Sequence, residues 1–144
     1  MKIRNLVSKD MPDLAALYNQ FWNKNVSNIP AMKKAFKKLS NRADYIFLGA
    51  EDNGRLIGSV MGIVCAGLYG ECLPFLTAED MIVDKAFRRK GVGGKLMREL
   101  EKRGKAKNCR YMILVTEAGR NDARAFYPSC GFDPSASKGF KKKI

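Results

Sequence analysis

The chain has 144 residues, of which 46% are hydrophobic, no histidine, and a net charge of +13. That length suits one domain spanning 1–144 with a core of its own, and no apolar run approaches a membrane span, so no membrane partner is expected. The missing histidines remove the usual base of Ser-His and Cys-His nucleophilic systems and leave no zinc-finger spacing, so hydrolase triads are set aside and no metal is expected.

Residues 2–7 alternate as a strand does, and the opening Met1-Lys2-Ile3-Arg4 lacks the apolar run of a signal peptide, which predicts a cytoplasmic location. Ser8, Asp10 and Pro12 are cap and first-turn residues. Leu14, Leu17, Tyr18, Phe21 and Trp22 then recur at helical spacing as a core-facing stripe. A second helix over 30–39 carries Lys33, Lys34, Lys37 and Lys38.

Strands over 45–51 and 55–65 flank Asp52-Asn53-Gly54, a turn whose residues tolerate positive φ, and should pair antiparallel. A loop over 67–73 leads to a strand over 74–83. A helix over 91–105, a strand over 110–116, a helix over 120–127 and a final strand near 139–143 complete the order. Pro128 should end or kink the helix right after Tyr127. This alternation predicts an α/β fold, a mixed sheet with helices on both faces. Cys65, Cys72, Cys109 and Cys130 form no C-x-x-C pair and read as buried thiols.

The densest signal is the segment M-I-V-D-K-A-F-R-R-K-G-V-G-G-K, residues 81–95. An apolar strand enters a turn rich in arginine and glycine, and Leu96, Met97 and Leu100 then form the apolar face of a helix. A helix start offers unpaired N–H groups and partial positive charge, so this turn suits a phosphate or pyrophosphate. The pattern is neither G-x-x-x-x-G-K-[ST] nor G-x-G-x-x-G, because Leu96 stands where the third glycine of the latter belongs.

Arg88, Gly91 and Gly93 do resemble motif A, Q/R-x-x-G-x-G/A, of the GCN5-related N-acetyltransferases (GNAT superfamily). A second block, Asn121 to Tyr127 followed by Gly131 and Phe132, is similar to that family's motif B, N-x-x-A-x-x-F-Y and then G-F. The resemblance covers 77–132 strongly and the rest in outline. It implies a single GNAT-like domain with a mixed, mostly antiparallel sheet, and acetyl-coenzyme A (acetyl-CoA) as co-substrate. Arg88, Arg89, Lys90, Gly91, Val92, Gly93 and Gly94 would hold its pyrophosphate. The backbone of Met81, Ile82 and Val83 would hold its pantetheine arm, with Asn121 and Phe126 beside it. The bland alternatives are a solvated glycine-rich turn and, for Asn121, a helix N-cap.

Acetyl transfer to an amine needs a base, an oxyanion donor and a proton for the leaving thiolate. Tyr127 takes the family's general-acid position; as an alternative it is a packing tyrosine. Glu79 and Asp80 are candidate bases, and the pair is similar to that of glucosamine-phosphate acetyltransferases. A regular strand puts Glu79 on the side of Met81 and Val83, which selects it, whereas a bulge would reverse the choice. In the family the helix of Tyr18 and Trp22 and the next, Pro30 to Leu39, help wall the acceptor site, so Tyr18 and Trp22 are candidates to touch substrate.

The expected reaction is acetylation of a primary amine on a small molecule, with the positive charge admitting an acidic acceptor. Alternatives are acetylation of a protein terminus or lysine, and a non-catalytic module that senses acetyl-CoA or binds nucleic acid. No RNP-like or helix-turn-helix pattern supports nucleic acid. A homodimer is compatible with the sequence. The lysines of 33–38 and 141–143 lie far in sequence from the cradle and read as solvated faces or solubility residues, with an acidic acceptor or an acidic protein surface as the alternative.

Overall fold

The computed structural model describes every residue except Asn23, Asn25 and Ala118. Two compact units emerge, Met1–Ile113 and Leu114–Ile144. The first holds a five-stranded sheet in the order β1-β2-β3-β4-β5. Its strands are β1 (Lys2–Asn5), β2 (Tyr45–Asp52), β3 (Arg55–Cys65), β4 (Phe75–Val83) and β5 (Met112–Ile113). The first four pair antiparallel, and β5 joins β4 in parallel, so the sheet is mixed and mostly antiparallel.

Helices α1 (Met11–Asn19), α2 (Ile29–Leu39) and α3 (Val92–Ala106) complete this unit. Pro12 sits in the first turn of α1, and Asn28 caps α2 by accepting the Ala31 N–H at 2.9 Å. Leu6, Leu14, Leu17, Leu56 and Ile82 cluster on one face of the sheet, with Met32 and Phe36 of α2 packed against them. The other face receives α3, and there glycine makes room for the helix. A Cβ on Gly62 would lie 2.5 Å from Leu100 Cδ1, and one on Gly58 would lie 3.3 Å from Leu96 Cδ1. Helices therefore cover both faces, as the alternating pattern predicts.

Two bulges set which side chains reach which face. In β3, Gly58 pairs with Ala50 and Leu56 with Glu51, leaving Ile57 extra. In β4, Ile82 pairs with Ser59 and Glu79 with Met61, so Asp80 and Met81 together oppose Val60. Asp80 adopts φ +50°. Leu76 faces α3, since it lies against the would-be Cβ atoms of Gly62 and Gly104. Ile82, at the same parity, belongs to the opposite cluster with Leu14 and Leu17. The strand has changed sides between them.

Several sequence expectations shift. The strand expected over 110–116 forms only as the two residues of β5. The final strand near 139–143 does not form among the described residues; Phe140 is 98% exposed, and three consecutive lysines give the segment no second apolar face to bury. Helix α4 (Asn121–Ser129), in the second unit, runs two residues past Tyr127 and carries Pro128 inside its last turn. Gly131, at φ +90°, closes that end, donating its N–H to the Pro128 carbonyl at 3.0 Å. Cys72 is exposed and Cys65, Cys109 and Cys130 are half-buried, so none is the fully buried thiol expected. No helix among the described residues is long and apolar enough to cross a membrane.

Candidate active site

The turn between β4 and α3 is built by side chains that bond back onto its own backbone. Asp84 is buried, accepts the Ala86 N–H at 2.9 Å and takes a 2.6 Å ion pair from Arg55. Its own N–H donates to the Ile57 carbonyl at 2.9 Å. A short 3-10 turn over Lys85–Phe87 follows, and Gln20, just past α1, accepts the Lys85 N–H through Oε1 at 2.9 Å. Sequence reading missed Asp84 and Gln20. The first had a signal, because an Asp two residues before the amide that it accepts is an Asx turn.

Beyond this, Arg88 donates Nε–H to the Val83 carbonyl at 3.1 Å, and Lys90 Nζ lies 5.3 Å from the centre of the Phe87 ring. Arg89 and Gly91 both take left-handed backbone, at φ +61° and +78°. α3 then starts at Val92. The amides of Val92, Gly93 and Gly94 form its first turn and have no intrahelical acceptor, whereas Lys95 N–H already reaches the Gly91 carbonyl at 3.1 Å. Val92 is buried, and Gly93 and Gly94 are half-buried. A Cβ on Gly91 would meet nothing within 4 Å, so the corner is open.

An anion placed there would meet first-turn amides, the positive end of a fifteen-residue helix and the cations Arg88, Arg89 and Lys90. The expected pyrophosphate residues therefore fit a polyanion. Beside them, the β4–β5 ladder holds only at Leu76 with Met112 and Thr77 with Ile113. From Ala78 to Val83 the β4 edge away from β3 has no strand partner among the described residues, which suits an extended ligand arm hydrogen-bonded along it.

The bulge removes the ground on which Glu79 is preferred to Asp80. Glu79 stands on the face opposite Met81 and Val83, because the extra residue at Asp80 breaks the alternation that had put them together. Asp80 itself is exposed, yet loss of hydration pushes its carboxyl above the usual range. On α1, burial first and then the Asp80 charge push the Tyr18 phenol up, so Tyr18 stays protonated at any ordinary pH. Trp22 packs edge-on to Tyr18, with ring centres 5.5 Å apart. The structure thus brings Asp80 and the Tyr18–Trp22 pair to one side of the sheet.

In the second unit, Tyr127 is half-buried on α4, with ring centres 5.2 Å from Phe126 and 5.9 Å from Phe132. Asn121 is the first residue of α4 and exposed, while the N-cap position belongs to Arg120. Counted back from Phe126 and Tyr127 through Ala123, the motif's asparagine position is also held by Arg120, with Asn121 one place on. Arg120 Nε pairs with Asp122 at 2.9 Å. Among the described residues no group of three or more His, Cys, Asp or Glu side chains could hold a metal ion.

The sequence profile of the Acetyltransferase (GNAT) family matches residues 11–132. Glucosamine 6-phosphate N-acetyltransferase 1 of Oryza sativa subsp. japonica is 30% identical over 105 residues, covering 71% of this chain and 62% of that protein. This chain therefore spans less than two thirds of that relative's length. Among solved structures, a transcriptional regulator from Bacillus halodurans C-125 superimposes with a TM-score of 0.90 at 21% identity, over 99% of both chains. Glucosamine-6-phosphate N-acetyltransferase from Arabidopsis thaliana gives 0.84 at 21% identity, over 98% of this chain and 97% of that one. These structural likenesses concern the fold. The family match covers most of the sequence, and the chain belongs to the acetyltransferase (GNAT) family.

Proposed function

We propose that this chain is an acetyl-CoA-dependent N-acetyltransferase that acts, as one domain, on a primary amine of a small molecule through a ternary complex. The observation that carries this reading is one continuous strand-turn-helix: a bulge presenting Asp80, an unpaired strand edge, and then the open first turn of α3. Support for a small acceptor comes from the rice relative, which is named for acetylating glucosamine 6-phosphate. A cytoplasmic setting, in which thiols stay reduced, suits a chain with an exposed Cys72.

In this reading the amides of Val92 to Gly94, with Arg88, Arg89 and Lys90, hold the pyrophosphate. The β4 edge at Met81, Ile82 and Val83 holds the arm. Acetyl-CoA supplies a thioester carbonyl whose carbon accepts the amine nitrogen while its C–S bond breaks. Asp80 takes one proton from the incoming ammonium, directly or through water, which exposes the nitrogen lone pair. A β4 backbone N–H stabilises the carbonyl oxygen as it gains charge. Tyr127 gives a proton to the departing sulfur. Two protons leave nitrogen in all; one ends on sulfur and the other in solvent. Glu79, on the α1 side, is the second candidate base.

The test is release of free thiol from acetyl-CoA in the presence of a panel of amino sugars, polyamines and peptides. The expected result is turnover with at least one small amine, and a fall in kcat for Tyr127→Phe of about a hundredfold with little change in coenzyme affinity. Release with peptides alone would transfer the activity to protein amines. Tight coenzyme binding without release from any amine would make the chain a sensor.

A further inference from the structure

The proposed chemistry leaves the lysines of α2 unexplained, and their helix carries no acid to answer them. On α3 two of the five cations are answered by acids one turn away, Arg103 by Glu99 at 2.8 Å and Lys105 by Glu101 at 2.5 Å. Lys33 and Lys37, and Lys34 and Lys38, are like charges at i,i+4, a spacing at which they repel. Among the described residues none of these four forms an ion pair. Lys37 and Lys38 lie in the last turn, where the helix dipole favours cations, but Lys33 and Lys34 sit mid-helix and have no such compensation.

All four are exposed, on the side of α2 opposite the Met32 and Phe36 that pack into the core. A groove of about 520 Å³ runs along them, lined by Lys33, Lys34 and Lys37 together with Ser8 and Asn41. It shares Phe36 and Ser40 with a second hollow of about 280 Å³, lined by Arg42, Arg103 and Lys107. Six cations line the combined path, of which Arg42 and Arg103 are paired with Asp44 and Glu99 and the three lysines of α2 and Lys107 form no ion pair among the described residues. That path reaches the C-terminal end of α3, whereas the anion cradle lies at its N-terminal end, fifteen residues or about 22 Å away.

We propose that this path is a docking surface for an acidic polypeptide segment, distinct from the coenzyme cradle. Charge complementarity selects an anion, and the shape and lining select a peptide. Nucleic acid would need ring faces for its bases. Here Phe36 is turned edge-on to Phe47 with centres 5.2 Å apart, and Tyr45 is stacked on Phe47 and covered by the Arg42 guanidinium at 5.2 Å. A duplex, about 20 Å across, spans hollows of this size without entering them, whereas single glutamate or aspartate side chains fit. Lysine-bearing α2 also exposes no large apolar residue for insertion into a lipid surface.

The experiment is fluorescence anisotropy of the full chain with labelled poly-glutamate and with single-stranded and duplex DNA of equal charge. Poly-glutamate should bind, and Lys33→Glu/Lys37→Glu should weaken it at least about tenfold, while Lys102→Glu/Lys105→Glu, an equal change of net charge elsewhere, should shift it less than about twofold. Acetyl transfer to a small amine should be unchanged in both. Lys33→Gln/Lys37→Gln, which removes charge without reversing it, should give an intermediate loss with a melting temperature no lower than wild type, and so guards against misfolding of the reversed variant. Equal loss in the two reversal variants, or none in either, would overturn the surface. DNA that binds more tightly than the peptide and is lost on reversing Lys33 and Lys37 would overturn the polypeptide as its partner.

Discussion

Arg88 donates its Nε–H to the Val83 carbonyl at 3.1 Å, so the first cation of the cradle is tied to the strand that leads into it. Its planar guanidinium can hold this carbonyl and still present its remaining N–H groups outward. Arg88→Lys keeps the charge and loses that fixed donor. Calorimetry should show acetyl-CoA binding to Arg88→Lys weakened about tenfold, equivalent to about 1.4 kcal/mol. Wild-type affinity in the variant would reduce Arg88 to a point charge.

Gly91 combines φ +78° with empty space where a Cβ would stand, so strain and ligand approach can be separated there. A left-handed conformation costs a residue with a Cβ about 1–2 kcal/mol, and asparagine less than most. Gly91→Val should lower the melting temperature, and Gly91→Asn should lower it much less. Both should lose coenzyme affinity, because either side chain projects into the open corner. An asparagine variant with full affinity would show that the anion does not approach Gly91.

Asp80 carries a carboxyl pushed above the usual range by lost hydration, with two consequences of opposite value. In the proposed role of base it must be ionised, so the rate should fall on the acid side at a higher pH than for an ordinary carboxylate, and Asp80→Asn should remove that limb with most of the turnover. For stability the sign reverses. A carboxyl with a raised folded pKa binds its proton more tightly when folded, so stability is lost as pH rises from the unfolded pKa, about 4, through the folded one. Asp80→Asn should therefore melt higher than wild type at neutral pH while turning over more slowly. Thermal melts and initial rates across pH check both, and a variant that melts lower would contradict the desolvation.

The bulge behind this behaviour shows where sequence reading stopped. The corner from β4 into α3 is legible because arginine, glycine and helix onset lie within a few residues of one another, and local chemistry dictates them. The choice between Glu79 and Asp80 depends on how many β4 residues stand against Val60 of β3, which is a matter of long-range pairing. A faint signal existed: aspartate is depleted in strands and tolerates positive φ better than most residues. Tyr111, Ile113 and Val115 alternate like a strand, yet each is at least 40% exposed and only Met112 and Ile113 pair with β4. Alternation alone does not supply the neighbour that a strand needs.

The first turn of the fold rests on Arg4 and Asp10. Arg4 donates to both Asp10 oxygens, at 2.7 and 2.9 Å, and to Glu51 Oε2 at 2.6 Å, while Asp10 also accepts the Val7 N–H at 2.8 Å. Burial works to raise the Asp10 carboxyl, but the bonds from Arg4 and Val7 outweigh it and hold the group below the ordinary range. A depressed folded pKa gives stability that is complete above the unfolded value, about 4, and is lost as pH falls through the folded one. Asp10→Asn should cost about 2 kcal/mol at neutral pH, since the half-buried Arg4 loses its charged acceptor, and the melting temperature should drop by roughly 5 °C. Below the folded pKa the two proteins should converge, because wild-type Asp10 is then protonated and its bond to Arg4 is weakened as well. Denaturant melts in a pH series test this directly. A gap that stayed constant down to the most acid condition would mean that the asparagine disturbs packing at the start of α1, with the Asp10 charge contributing nothing of its own.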